Sequence, residues 1–429
     1  MVSDNMRPEE AGNRNTILGV MSAGHGVAHL YDQGVPVMMP SISSHFGLST
    51  LQITVLLALR FIGFGVVNIG GGLVVDMLKR HWGIMLTGCM VGAAIFFALL
   101  GASPGYIVLI LVVPLVSIPG ALWHLPSAAS LSQVFADRRG FAISIHGLGS
   151  NLGNMVGPVV ATGLLAVLTK WRGVSVGGAT VIPTWIVPVV LRSWRGVMYI
   201  YVIPALVMGV LVWIFLRHVG RIGSVQTRSL SEQLRESVGI MRHPGVVLLV
   251  AAAMLRGVGL DSVFAWTPFY LTESLGKEDL DYGFHYALVS GMGIVSAPIL
   301  GYLSDRYSRK AVMVPGFFLA AVISLVTVAA GDGILLTLVL AGTGLFSFAL
   351  HQIVQAAVLD VVGRGTEATA VGLIFGLNGI LGAVSPFLGY FVIENFGGYG
   401  SVFYYSGILT AISAVLVILA PMKALPVRE

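Results

Sequence analysis

The sequence predicts an all-α integral membrane protein whose twelve transmembrane helices form two parallel six-helix repeats. Hydrophobic residues make up 56% of the 429 residues and charged residues only 10%, whereas soluble domains carry about 25% charged residues. Apolar runs recur along the whole chain, and landmarks of the first half return in the second half at a nearly fixed distance. The single cysteine and the net charge of +5 argue against a disulfide-bonded secreted scaffold and a nucleic-acid-binding protein.

The apolar runs define twelve spans, since about 20 residues cross a bilayer. Residues 1–16 hold no apolar run and form a tail rather than a signal peptide. The basic segment 218–245 links two bundles, 17–217 and 246–421, and a second tail follows at 422–429. In chain order, spans 1 to 12 are predicted at 17–40, 50–76, 83–102, 105–135, 140–169, 196–217, 246–274, 283–304, 311–330, 334–361, 367–394 and 400–421.

The distribution of basic residues predicts that both termini are cytoplasmic. Loops on one side of the predicted bundle carry 17 Lys and Arg residues, and loops on the other side carry 5. The side with more Lys and Arg faces the cytoplasm. We therefore predict a multi-pass protein of the plasma (inner) membrane. The two remaining basic residues, Arg60 and Arg256, fall within spans 2 and 7.

The two halves are related by a repeat at an offset of 228–229 residues. Three pairs of landmarks keep this offset: Asp32 with Asp261, Asp76 with Asp305, and Pro158 with Pro386. Because the offset covers six spans, the two copies run in the same direction through the membrane. Parallel repeats of this kind recur among transporters.

An insertion near 171–195 interrupts the repeat. The motif Trp171-Arg172-Gly173 returns as Trp194-Arg195-Gly196 and brackets the inserted residues. The charge rule places this segment on the outer side. It is either a hairpin lying on the surface or a lid over the outer mouth of the protein.

Two loops resemble a repeated motif of the major facilitator superfamily. The loop after span 2 reads Gly72…Asp76…Lys79-Arg80, and the loop after span 8 reads Gly301…Asp305-Arg306…Arg309-Lys310. The resemblance covers nearly the whole chain and implies the major facilitator fold with alternating access. It further implies a cytoplasmic gate formed by Asp76, Arg80, Asp305, Arg306 and Arg309.

A second resemblance concerns spans 4 and 5. The chain reads His124-Leu125-Pro126, then Arg139-Gly140-Phe141-Ala142-Ile143-Ser144, then Asn151-Leu152-Gly153 and Gly157-Pro158. This series is similar to the fosmidomycin-resistance-type efflux branch of the superfamily. The similarity implies an efflux antiporter.

Titratable residues form a stripe on span 1. His25, His29 and Asp32 stand at positions i, i+4 and i+7, which share one face of a helix. A charge at this depth is costly and indicates function. We predict that Asp32, His29 and the repeat mate Asp261 couple transport to protons. For His25, a hydrogen bond to a neighbouring helix is the simpler interpretation.

Further polar residues inside the spans predict a substrate site. Arg60 and Arg256 stay charged, so each pairs with a buried acid or contacts an anionic substrate. His124 and His351 stand at nearly equivalent places in the two halves, and Gln352 and Gln355 follow on span 10. We predict that these six residues line the substrate cavity, with packing between helices as the alternative for the histidines.

Other chemistry is not indicated by the sequence. Gly149, Gly153 and Gly157 recur every four residues, which is typical of a close helix contact. Gly70-Gly71-Gly72 is not followed by the Lys-Ser/Thr of a phosphate-binding loop. Neither a catalytic triad nor a metal-ligand motif is apparent on a loop, so we expect no enzyme activity, cofactor or metal.

The predicted function is secondary active transport by alternating access. The leading hypothesis is proton-coupled export of a small organic compound, with an organic anion as one candidate substrate. Proton-coupled uptake of an organic anion is the alternative, and a non-transporting receptor or membrane enzyme is a third. The expected partners are the small-molecule substrate, protons and the lipid bilayer, and the protein is expected to be a monomer.

Overall fold

A computed structural model describes residues 13–135, 137–171, 174–176, 179–182, 187–220, 239, 242–362 and 367–422. Within these ranges, side chains are described except at 68–74, 76–77, 79, 140, 174–176, 179–182, 362 and 367–376. The predicted tail before residue 13, most of the predicted linker and the tail after residue 422 lie outside the described residues.

The helices confirm the predicted all-α fold, with ends close to those expected. Spans 1 to 6 are Arg14–Phe46, Thr50–Met77, Trp82–Ala102, Tyr106–Val134, Arg139–Thr169 and Trp194–Leu216. Spans 7 to 12 are Pro244–Phe269, Asp279–Gly291 continued by Gly293–Arg306, Arg309–Val326, Ile334–Val362, Glu367–Phe396 and Ser401–Leu419. Span 8 is interrupted at Met292, which stands between two glycines.

Eleven of these spans hold a described stretch apolar enough to cross a membrane by length and composition. Span 1 does not meet that measure because His25, His29, Asp32 and Gln33 lower its hydropathy. The same helix also extends to Phe46, beyond the predicted end at residue 40. It ends at Gly47, whose φ of 62° is left-handed and whose N–H returns to the carbonyl of Ser43, as is common at helix C-termini.

The chain divides into two compact units. The first unit contains Met1–Ser224 and Lys277–Ala287, and the second contains Val225–Gly276 and Leu288–Glu429. The beginning of span 8 therefore packs with the first unit. There the Tyr282 hydroxyl donates to the backbone carbonyl of Val37 at 2.9 Å.

Each unit has its own apolar core and an apolar outer surface. Trp123 is fully buried in the first unit, and Phe317 and Leu350 are fully buried in the second. Large apolar side chains remain exposed on the helices, for example Ile107 at 70% and Ile203 at 61%. Such residues suit contact with lipid rather than with water.

The insertion contains a short β-hairpin. Strand β1, Val174–Val176, pairs antiparallel with strand β2, Ala179–Ile182. A hairpin is therefore present, while its position on the outer surface and the lid over the outer mouth both stay predictions. Within the predicted segment, residues 172–173, 177–178 and 183–186 lie outside the described residues.

Candidate functional site

The first unit brings Asp32 of span 1 and Arg60 of span 2 together. The Arg60 Nη2 donates to the Asp32 carboxylate and, at 2.8 Å, to the backbone carbonyl of Asp32. The Asp32 side chain is 31% exposed and the Arg60 side chain is 14% exposed. The sequence left the partner of Arg60 open, and the structure shows an ion pair with Asp32.

Pro36 explains why the backbone carbonyl of Asp32 can accept this bond. In an α-helix, a carbonyl accepts from the N–H four residues later. Residue 36 is a proline inside span 1 and has no N–H. The Arg60 guanidinium supplies the missing donor, so the local sequence of span 1 prepares a place for a cation beside Asp32.

Asp32 also borders a small cavity within the first unit. Spans 1, 3 and 4 line it with Tyr31, Asp32, Cys89 and Ser117, among others. The Ser117 hydroxyl is buried and has no hydrogen-bond partner among the described residues. Asp32 therefore contacts a fixed cation and borders a small, mostly apolar cavity.

Four histidines from three helices meet one turn away from this ion pair. We call His25, His29, His124 and His146 the histidine cluster. The His25 ring stacks on the His146 ring with centroids 3.9 Å apart. The centroids of the His29 and His124 rings each lie 4.8 Å from the centroid of the His25 ring. The sequence placed His25 and His29 on one face but did not predict that His124 and His146 would join them.

Hydrogen bonds fix the cluster. His25 Nδ1 lies 2.8 Å from the backbone carbonyl of His146, and His25 Nε2 lies 3.1 Å from His124 Nδ1. His29 Nδ1 lies 3.0 Å from the Asn154 side-chain oxygen, which also accepts from Gln33. The structure thus places His29 and His124 within this network, and Asn154 and Gln33 are participants that the sequence analysis missed.

The glycine face of span 5 makes this network possible. Span 1 packs more extensively against span 5 than against any other described helix. A β-carbon at Gly149 would overlap the carbonyl of Ser22, and one at Gly153 would overlap the carbonyl of Gly26. The predicted close contact is therefore present, and Asn154, beside Gly153, could have been recognised as the residue facing span 1.

In the second unit, Arg256 has different partners from Arg60. The Arg256 Nη2 donates to the backbone carbonyls of Phe346 and Ser347 on span 10 at 2.8 and 2.5 Å. Its guanidinium lies 5.7 Å from the ring centre of Phe317, and the residue is 5% exposed. These contacts fix span 7 to span 10, which is a structural arrangement.

The other predicted substrate residues of span 10 differ in exposure. Gln352 is exposed, while His351 and Gln355 are half-buried. Asp261, the repeat mate of Asp32, is half-buried on span 7. Asp261 and His351 both interact electrostatically with Arg256.

Two residues of the predicted cytoplasmic gate, Arg309 and Asp305, contact each other in the second unit, and the gate itself stays a prediction. Arg309 donates to Asp305, to the hydroxyl of Ser304 and, through Nε at 2.8 Å, to Asp360. Asp360 was missed, although an acid in the last turn of span 10 lies on the side rich in arginine.

The other gate residues have weaker or undescribed contacts. Arg306 donates to the Tyr302 hydroxyl at 3.1 Å, and Arg80 is exposed. The side chain of Asp76 lies outside the described part of the structure.

An ion pair also joins the end of span 5 to the beginning of span 8 in the first unit. Lys170 Nζ lies 2.8 Å from Glu278 Oε2. The hydrogen bond lowers the pKa of Glu278 and raises the pKa of Lys170. Nearby, Gly283 packs so closely on Thr162 that a β-carbon would overlap its hydroxyl.

Sequence comparisons reveal related transporters. The family model described as Major Facilitator Superfamily matches residues 21–306 and 272–428. The chain is 27% identical over 185 residues to sugar phosphate exchanger 3 of Bos taurus, covering 41% of the chain and 37% of the relative. It is 25% identical over 319 residues to a putative glycerol-3-phosphate transporter of Arabidopsis thaliana, covering 67% of the chain and 60% of the relative. A probable nitrate/nitrite antiporter of Thermus thermophilus is 24% identical over 284 residues (65% and 58%).

Solved structures share the fold. A nucleoside transporter, NupG, superposes with a TM-score of 0.74 at 13% identity, covering 94% of this chain and 99% of that one. A bacterial homologue of the human lysosomal transporter Spinster superposes with a TM-score of 0.67 at 15% identity, with 97% and 96% coverage. The chain spans 37–60% of the length of the three sequence relatives.

Proposed function

Because this chain belongs to the major facilitator superfamily and is a membrane transporter of that type, we propose that it couples proton movement to the transport of a small organic anion by alternating access. The observation that carries the proposal is the ion pair between Asp32 and Arg60 inside the first unit. The proposal includes the plasma (inner) membrane as its location, cytoplasmic termini and a monomeric state.

The ion pair offers a physical link between protons and anions. While Asp32 is ionised, its carboxylate neutralises the Arg60 guanidinium. A proton on Asp32 removes that neutralising charge, and Arg60 then attracts an anionic ligand. Guanidinium suits carboxylate and phosphate groups because its N–H groups form a planar fork. Asp261 and His29 stay predictions as further coupling residues.

The names of these relatives support an anionic substrate class. Three of them name phosphate esters or nitrate and nitrite as cargo. Arg60 is the cation that we propose to contact the anion. Arg256, His124, His351, Gln352 and Gln355 stay predicted substrate residues, and the bonds of Arg256 to backbone carbonyls favour a structural role for it.

Two directions of transport follow from different observations. Similarity to the fosmidomycin-resistance-type efflux branch favours export in exchange for protons. The Asp32–Arg60 geometry favours uptake, because a proton and an anion that stabilise each other's binding move in the same direction. A receptor or enzyme role has less support, since the described residues supply no feature that requires it.

Transport by the purified chain in proteoliposomes tests the proposal. We would impose a pH gradient and measure accumulation of glycerol 3-phosphate, a hexose phosphate and nitrate, with glycerol and the free hexose as neutral controls. We expect accumulation of at least one anion. Whether the anion accumulates on the side that protons enter or on the side that they leave shows whether it moves with protons or against them. Accumulation that ignores the pH gradient, or that favours the neutral compounds, would contradict the proposal.

A further inference from the structure

The histidine cluster has a geometry that the proposed transport function does not explain. One ring nitrogen from each of His25, His29 and His124 can be chosen so that all three lie within 4.8 Å of one another. We propose that these three residues form a binding site for one divalent late transition-metal ion, such as Zn²⁺. The proposal concerns metal binding and does not depend on the coupling ion or on the substrate.

The bonds at the outer edge of the cluster determine which nitrogens carry protons. A carbonyl oxygen only accepts, so His25 Nδ1, 2.8 Å from the His146 carbonyl, donates to it. In a neutral ring, His25 Nε2 is then unprotonated. His29 Nδ1 likewise donates to the Asn154 side-chain oxygen at 3.0 Å, which leaves His29 Nε2 unprotonated.

This arrangement is the one that orients histidine ligands in metal sites. A metal-binding histidine usually donates its other ring N–H to a backbone carbonyl, carboxylate or similar acceptor, which fixes the tautomer and the ring direction. His25 and His29 both satisfy this requirement through Nδ1, so both offer Nε2 as the ligand atom. Gln33 donates to the same Asn154 oxygen at 3.1 Å and so helps to hold that oxygen in place beside His29.

The Nε2 atom of His29 provides an independent observation. It is fully buried and has no hydrogen-bond partner among the described residues. A buried acceptor without a partner is unfavourable, and a metal ion would supply the partner. Among the described residues, His25 Nε2 bonds to His124 Nδ1 at 3.1 Å, and His124 Nδ1 carries the proton of this bond because His25 Nε2 is unprotonated. Metal binding would move that proton to His124 Nε2 and replace the hydrogen bond with two metal–nitrogen bonds.

The distances allow coordination after a small adjustment. Zinc–nitrogen bonds are about 2.0–2.1 Å long, so tetrahedral ligands stand roughly 3.4 Å apart and each ring would move by about 1 Å. Three histidines leave a fourth position for water or an anion. A set of imidazole donors favours Zn²⁺, Co²⁺, Ni²⁺ or Cu²⁺ over Mg²⁺ or Ca²⁺.

The internal repeat shows that the fold does not require these histidines. The residues 229 positions after His25 and His29 are Met254 and Val258. Both are buried apolar residues of the second unit. Span 7 therefore occupies the place equivalent to span 1 without imidazoles, so the pair on span 1 is specific to the first unit.

The surrounding charges do not oppose a dication. The nearby Asp32 and Arg60 side chains neutralise each other through their ion pair. His146 contributes its backbone carbonyl, while its ring Nε2 lies 3.1 Å from the Ser127 hydroxyl. A bound metal would join span 1 to span 4 and stabilise the first unit.

Co²⁺ titration of the full-length chain without an affinity tag, reconstituted in nanodiscs, tests the site. We expect one equivalent of Co²⁺ to produce the visible absorption of a tetrahedral complex, and Zn²⁺ to displace it. His29→Ala and His124→Ala should each weaken binding by more than tenfold. Asn154→Ala, which removes the acceptor for His29 Nδ1, should weaken it by about tenfold.

His81→Ala is the matched control, since His81 is an exposed histidine outside the cluster and its loss should leave Co²⁺ binding unchanged. Thermal unfolding without metal checks that each variant folds, and His29→Gln replaces His29→Ala if the latter does not. Failure of the wild-type chain to bind one equivalent would overturn the proposal. Equal binding by the His29 and His81 variants would also overturn it, because the metal would then be on surface histidines.

Discussion

The Arg60 guanidinium donates to the backbone carbonyl of Asp32 at 2.8 Å as well as to its carboxylate. This carbonyl lacks its helical donor because residue 36 is proline. Arg60 is therefore held by two acceptors of one residue, of which only the carboxylate can lose its charge. A proton on Asp32 would weaken the attachment of Arg60 without releasing it completely.

We expect Asp32→Asn to abolish accumulation driven by a pH gradient and to retain exchange of substrate. Asparagine keeps the size and an acceptor oxygen but does not take up a proton in this range. Counterflow and gradient-driven uptake in proteoliposomes measure the two activities separately. Asp281→Asn, at the beginning of span 8, is the control and should retain both. If the Asp32 variant still concentrates substrate, Asp32 is not the coupling group.

The two buried arginines should respond differently to substitution. Arg60→Gln should weaken anion binding by tenfold or more, since a hydrogen bond to a charged group contributes about 1.5–3 kcal/mol, and should affect a neutral analogue little. Arg60→Lys should restore part of the affinity, because it keeps the charge but loses the planar fork.

Arg256→Gln should instead lower the thermal stability, since it leaves the contacts with Phe346 and Ser347 incomplete. Its effect on anionic and neutral ligands should be equal. Binding of matched ligands to the purified variants, together with their unfolding temperatures, decides between these roles. If the Arg256 variant loses affinity for the anionic ligand but not for the neutral one, Arg256 is part of the substrate site.

Arg309→Gln should increase exposure of the cytoplasmic side more than Asp305→Asn does. The first change removes the bonds to both Asp305 and Asp360, and the second leaves the Asp360 bond in place. Partly exposed pairs of this kind contribute about 0.2–1 kcal/mol each, so the shift in population should be up to about fivefold per pair.

Thiol labelling of a cysteine introduced at the cytoplasmic end of span 10, in a Cys89→Ala background, measures this exposure. Lys310→Gln is the control, because Lys310 bonds only to a backbone carbonyl, that of Ile418, among its described contacts. Unchanged labelling in the Arg309 variant would argue against a gate at this place.

The contact between Lys170 and Glu278 should depend on pH at both extremes. The folded pKa of Glu278 is lowered, so its contribution is present above the unfolded value of about 4.3 and is lost as pH falls through the folded pKa. The folded pKa of Lys170 is raised, so its contribution is present below about 10.4 and is lost as pH rises through the folded pKa. Crosslinking between cysteines at 169 and 279 should therefore be most efficient between these limits. In Glu278→Gln, the efficiency in the acidic range should follow only the thiolate fraction of the two cysteines, so the ratio of the efficiencies with and without this substitution reports the ion pair.

Sequence patterns were sufficient for the helices and for the positions of the charged residues along them. Hydropathy and span length depend on neighbouring residues in the chain, so the spans were predicted to within a few residues except at the end of span 1. The glycines at intervals of four in span 5 likewise identify a contact surface, because their spacing depends only on helical periodicity. The repeat placed Asp32 and Asp261 at equivalent positions for the same reason.

The partners of the charged and titratable residues were decided only by the tertiary structure. Arg60 and Arg256 look alike in sequence, yet one pairs with a carboxylate and the other with two backbone carbonyls. His124 and His146 lie 99 and 121 residues from His25 and still contact it. Such contacts depend on how each helix is rotated and shifted against its neighbours. Periodicity specifies which face of a helix is polar, but only the packing of side chains determines what that face meets.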